Sequence, residues 1–269
     1  MDFMAKNIHG SIVTSGFLLL VTAGIAPQTV ASDRHYVGTA HANDSHDVLY
    51  KEEHFVFDDH GERTRLVLYR CPSGEPFARK WVHDVAEAQA PNFDLIDARS
   101  GYREGVVGKP GARMVYTQAD AHAPVHVESL PDRPNEVIDA GFDAYVRQHW
   151  DVMRANQQTA VAFVVPSRLG YVDLRLTDAD ARTADGESIR HLRLGMDAWY
   201  GFAAPSIDLT YGTADQRLLR FEGISNIRNA AGKNQHVIIE FPRAAEMSAP
   251  SEADIQKAAS LPLVAHCAA

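Results

Sequence analysis

Asp139–Arg154 reads DAGFDAYVRQHWDVMR. Phe142, Tyr145, Val146, Trp150 and Met153 recur there at spacings of three and four, which is one face of a helix. Asp143, Arg147, Asp151 and Arg154 fall on the opposite face, and Asp143–Arg147 is spaced as a helical ion pair. Asp139 stands where an N-cap belongs. This is the one strong helical pattern in mid-chain, and the segments on either side follow a different period.

Upstream, Glu53–Asp58 (EHFVFD) and Arg65–Arg70 (RLVLYR) flank a turn at Gly61, as a hairpin requires. Pro76–His83, Phe93–Ala98, Tyr102–Val107, Arg113–Thr117 and Val125–Ser129 follow, separated mostly by Gly and Pro. Downstream, Thr159–Val165 and the strictly alternating Gly170–Thr177 (GYVDLRLT) lead to Glu187–Leu194, Ile207–Tyr211, Arg217–Phe221 and His236–Phe241. Short connections between so many strands predict a mainly β, antiparallel fold. The expected form is a curved, incomplete barrel wrapping the single amphipathic helix, with an α+β arrangement as the lesser reading. Two sheets joined near residues 130–136, at Pro131 and Pro134, are the alternative.

The ends divide the chain further. Lys6 precedes an apolar run from Ile12 to Ala26, and Thr29-Val30-Ala31 supplies small residues for cleavage, so residues 1–31 are expected to be a signal peptide. The mature form is then soluble and periplasmic or secreted. Residues 32–49 are polar, carry His35, His41 and His46, and are expected to be a flexible leader. Residues 50–243 make up the β-rich domain. Residues 244–269 form a tail in which Ser251–Asp254 can open a short helix through a capping box.

From Val137 through Pro242 the chain resembles the half-barrel proteins of the bacterial envelope, the lipoprotein carriers and their secreted relatives. FDAYVRQHW, PSRLGYVDLRL, IDLTYGTADQRLLRFEGISNI and HVIIEFP carry the likeness. The whole mature chain is also similar to uncharacterised exported proteobacterial proteins, through LVLYRCPSGEPFARK and DARSGYREG. The resemblance implies an open barrel of eleven-stranded type, whose concave face holds an acyl or other lipophilic group.

Net charge is −9, which argues against a nucleic-acid partner. The chain has no G-x-S-x-G, H-E-x-x-H, P-loop or strand-linked G-x-G-x-x-G, so no cofactor or metal is implied. Cleavage after Ser32 would leave Asp33-Arg34-His35, a chelate for Cu(II) or Ni(II), but Ala31 is the better cleavage residue. Cys71 and Cys267 are the only cysteines, and a disulfide between them would pin the tail to the first hairpin. Arg70, Arg79, Asp97, Arg99, Arg103 and Glu104 crowd two turns and can form an ion network or an anion patch if the hairpins pair.

Two functions fit. One is a non-catalytic envelope protein holding a lipophilic small molecule, or an envelope protein partner, in a groove between sheet and helix. Phe142, Val146, Trp150, Met153 and Tyr171 are the groove candidates. The other is an exported hydrolase built on Asp97, Arg103 and Glu104.

Overall fold

The computed structural model describes residues 32–84, 87–153, 158–184, 187–196 and 206–268. The segment expected to be a signal peptide lies outside them. In chain order the strands are β1 Arg34–Ala42, β2 Val48–Asp59, β3 Glu62–Arg70, β4 Pro76–His83, β5 Asn92–Asp97, β6 Tyr102–Val107, β7 Arg113–Gln118 and β8 Val125–Leu130. They continue as β9 Glu136–Ile138, β10 Gln158–Val165, β11 Gly170–Ala184, β12 Glu187–Met196, β13 Ile207–Gly212, β14 Leu218–Arg228, β15 Asn234–Glu240 and β16 Glu246–Met247. Helix α1 is Gly141–Gln148 and helix α2 is Glu252–Ser260.

All the strands belong to one sheet. Its order runs β8 back to β1, then β15 back to β9, with β16 beside β1. Every pairing is antiparallel except β9 with β10. The chain is therefore mainly β, and the sheet is not closed into a barrel. Its two edge strands, β8 and β9, are consecutive in sequence, and side chains of β7 and β11 meet β9 where the ends approach. Arg113 of β7 pairs with Glu136 of β9 and donates to the Ala90 carbonyl, while the Tyr171 hydroxyl donates to Glu136 at 2.7 Å. The Pro131–Pro134 segment thus turns at this seam. A joint between two sheets is not formed, because β1 and β15 make the sheet continuous.

Residues 32–49 are the main departure from the sequence reading. Within them Arg34–Ala42 is β1, which sits between β2 and β15 in the middle of the sheet, and β2 begins at Val48. The centre of β1, Gly38 and Ala40, is small because neighbouring side chains already fill the space. A Cβ on Gly38 would lie 2.4 Å from the Phe241 ring. The same crowding that demands small residues hides the strand from a hydrophobic pattern.

Alternation gives the sheet two faces. On the concave face Tyr50, Val67, Tyr69, Phe93, Leu95 and Val106 form one core, continuing into Val237 and Ile239. On the convex face Phe55, Phe57, Leu66 and Leu68 are covered by α2 through Ala258 and Ile255. The α2 start is a capping box of Ser251 and Asp254. Beyond it the tail is fixed by a Cys71–Cys267 disulfide, with Cα atoms 5.5 Å apart, and by Val264 donating to the Pro76 carbonyl. Residues 244–268 are thereby part of the fold.

Helix α1 occupies the concave side. Tyr145 and Val146 pack with Val161, Leu174, Leu192, Leu209 and Tyr211 in a second core. The helix is shorter than its sequence pattern. Asp139 does not cap it: Ala140 holds the N-cap position, and Asp139 adopts φ 45° with its carboxylate turned to Lys80. Arg190, buried on β12, serves the other end by donating to the carbonyls of Trp150 and Met153 while paired with Asp178 at 2.7 Å. Gly141 is required where α1 meets the preceding loop, since a Cβ there would come within 2.1 Å of the Gln89 carbonyl.

Candidate functional site

A cavity of about 400 Å³ lies on the concave face, between α1 and both halves of the sheet. Strand alternation decides its lining. From β10 to β15 the lining is mostly apolar: Phe163, Val172, Leu174, Leu194, Ile207, Phe221 and Ile239, joined by Phe142 from α1, with Ser225, Asn226 and Asn234 as its polar members. From β2 to β6 the cavity is lined mainly by polar residues, Glu52, His54, Arg65, Lys80 and Glu104, set among Tyr69 and Phe93. The cavity is therefore amphipathic, with an apolar wall facing a charged floor.

The floor is ordered by internal partners. Lys80 Nζ lies 2.8 Å from Asp139 Oδ2, and Asn226 donates to the other oxygen of Asp139 at 3.3 Å. Glu52 and His54 pair at 3.2 Å. Burial lowers the His54 pKa and outweighs the opposing pull of Glu52, which favours the neutral imidazole. Glu104 is 4% exposed. Burial raises its pKa to about 7, against the Tyr102 hydroxyl, which donates to it and favours the carboxylate. Tyr50 and Ser225 share a hydrogen bond at 2.8 Å behind this row. Among the described residues no three His, Cys, Asp or Glu side chains are grouped to hold a metal ion.

Of the five groove candidates, only Phe142 lines the cavity. Val146 and Met153 are buried in the core beneath α1, and Trp150 packs edge-on against Tyr211 with Arg190 over its ring. Tyr171 serves the seam. The charged helix face supplies lining too, through Asp143 and Arg147. The amphipathic pattern correctly finds the packed side of α1, but it cannot tell that the polar side also faces protein.

The charged cluster does not assemble as one site. Arg70 pairs with Glu53, and Arg79 donates to the Leu261 carbonyl near α2. Asp97 and Arg99 pair with each other, and Arg99 stacks over Phe77. Arg103 and Glu104 are successive residues of β6 and so project to opposite faces. Arg103 meets Asp94 outside, whereas Glu104 faces the cavity. Asp97, Arg103 and Glu104 therefore do not converge as a hydrolytic centre. His35, the residue of the possible N-terminal chelate, is paired with Glu53 at 3.0 Å and stacked on Phe55.

Sequence reasoning missed Arg65, Lys80 and the apolar wall of β10–β15 as one lining. The signal was available in register. Odd positions of β3 and even positions of β4 must share a face once Val67 opposes Lys80.

The fold and cavity define the class: an open antiparallel half-barrel around one helix. No family model matches the chain, and no curated protein matches it significantly. Among solved structures it is similar to a β-barrel-like protein of the DUF1849 domain of unknown function from Brucella abortus. The identity is 8%, with 78% of this chain and 94% of that one covered, at a TM-score of 0.49. A DUF1329 family protein from Desulfovibrio piger is also similar, at 9% identity, 78% and 83% coverage and a TM-score of 0.27.

Proposed function

We propose that the chain is an exported envelope protein that binds, without transforming, a lipophilic ligand in the cavity between α1 and the sheet. The observation that carries this reading is the apolar wall, set against a floor whose polar groups are mostly paired. The volume falls within the range of small-molecule sites, about 300–1,000 Å³. Transferring alkyl surface from water onto such a wall contributes roughly 25 cal/mol per Å². Helix α1 and the charges at its start fix the cavity's shape before a ligand arrives, which limits the ordering cost of binding. The apolar leader from Ile12 to Ala26 supports export to a periplasm, and the likeness to envelope half-barrels supports a carrier or shielding role.

Native mass spectrometry of protein purified from its own periplasm tests this reading. A bound lipophilic mass, released by organic solvent, is the expected result. Protein that is retained in the cytoplasm, or that takes up no lipid from an envelope extract while folded, contradicts it.

A further inference from the structure

We propose that the ligand of this cavity is an amphiphile with an anionic head, its oxyanion taken by the Arg65 guanidinium while its alkyl tail lies along the β10–β15 wall. This rests on the binding function above and adds the chemistry of the ligand.

Arg65 points inward from β3 and lines the cavity. Its Nε is fully buried and has no hydrogen-bond partner. Among the described residues no carboxylate lies within ion-pair distance of its guanidinium. Burial would lower the Arg65 pKa, but Tyr36, Asp143, Asp84 and Asp139 act on it through space and the net shift is upward. The group remains a cation, with open donors in a partly apolar chamber. A buried guanidinium with no direct ion-pair partner is costly, and a planar oxyanion that accepts two of its N–H groups lowers that cost.

The other floor charges are already engaged. Asp139 holds Lys80, Glu52 holds His54, and Asp143 holds Arg147 at 2.9 Å. The second oxygen of Asp143 is buried without a partner. Glu104 receives the Tyr102 hydroxyl. Further lining residues strengthen the sign. Arg34 and Arg217 share one carboxylate, Glu246, and Arg168 has no ion-pair partner among the described residues. An overall acidic protein thus presents a cationic cavity, which draws in an anion and repels a cationic detergent.

Calorimetric titration of the purified mature protein with dodecanoate, dodecyl phosphate, dodecanol, dodecyltrimethylammonium and inorganic phosphate tests the assignment. The two anionic amphiphiles should bind about tenfold or more tightly than dodecanol, the scale of a charge-assisted hydrogen-bonded pair. Arg65→Met should abolish that preference while keeping dodecanol binding, and Arg65→Lys should keep part of it. Dodecanol binding as tight as dodecanoate in the wild type overturns the anionic head but leaves the binding function standing. Failure of every dodecyl probe overturns both. Tighter binding of the trimethylammonium probe reverses the sign and overturns the head assignment. Inorganic phosphate binding as tightly as dodecyl phosphate makes this a free-anion site and overturns the amphiphile. If Arg65→Met does not fold, wild-type selectivity and Arg65→Lys still decide the outcome.

Discussion

Lys80 Nζ on β4 lies 2.8 Å from Asp139 Oδ2, the carboxylate two residues before α1, and both side chains are nearly buried. This contact ties the first half of the sheet to the helix that fills the second. It also explains why Asp139 holds a left-handed backbone, since that turn aims its carboxylate across the cavity floor.

Removing one member of such a pair leaves a buried charge uncompensated. Lys80→Met should therefore destabilise the protein by about 3–5 kcal/mol in denaturant unfolding. Adding Asp139→Asn should recover more than half of the loss, because it removes the orphaned charge while Asn tolerates the same backbone. A Lys80→Met variant within about 1 kcal/mol of wild type would show that the pair is only a surface contact.

Glu104 makes stability depend on pH in the neutral range. Its folded pKa of about 7 lies above the ordinary value of 4.5. The folded state therefore holds the proton more tightly than the unfolded chain. The contribution is fully favourable below the unfolded value and is lost as pH rises through the folded one. The whole change is roughly 3 kcal/mol. Glu104→Gln should leave stability near pH 4 almost unchanged and raise it at pH 8, flattening the profile. A variant that is less stable than wild type at pH 8 refutes the raised pKa.

The Cys71–Cys267 disulfide closes a separation of 196 residues. In the chain-entropy model a loop of that length stabilises by about 5 kcal/mol at most. Cys267→Ala should lower the unfolding free energy by about 2–5 kcal/mol. Hydrogen exchange should also quicken in α2, whose cover over Leu66 and Leu68 depends on the anchored tail. Unchanged exchange in α2 would show that the helix is held by packing alone.

Much of the architecture was legible because period-2 alternation survives on strands with one buried face, as at Gly170–Thr177 of β11, and because a short apolar run such as RLVLYR of β3 marks a strand covered on both faces. The helical face of Tyr145 and Val146 was equally clear. Strand β1 was not legible: Gly38 and Ala40 are small for a reason that lies in Phe241 and Ile239, far away in sequence. The site was mostly illegible for a related reason. Lys80, Arg65 and Glu104 look like three surface charges until pairing register places them on one face. The Arg103–Glu104 neighbours show the converse, since adjacency in sequence put them on opposite sides of the sheet.

The proposed binding site is the cavity itself. Val172 lines its apolar wall at the margin of the core beneath α1, where it is only partly buried, and Val172→Trp should fill the space. Titration of wild type and Val172→Trp with Nile red, alongside their thermal midpoints, measures the claim directly. Saturable binding to wild type is expected, weakened about tenfold or more in a variant that melts within a few degrees of it. Equal binding by the two folded proteins would place the probe on the outer surface and contradict the account.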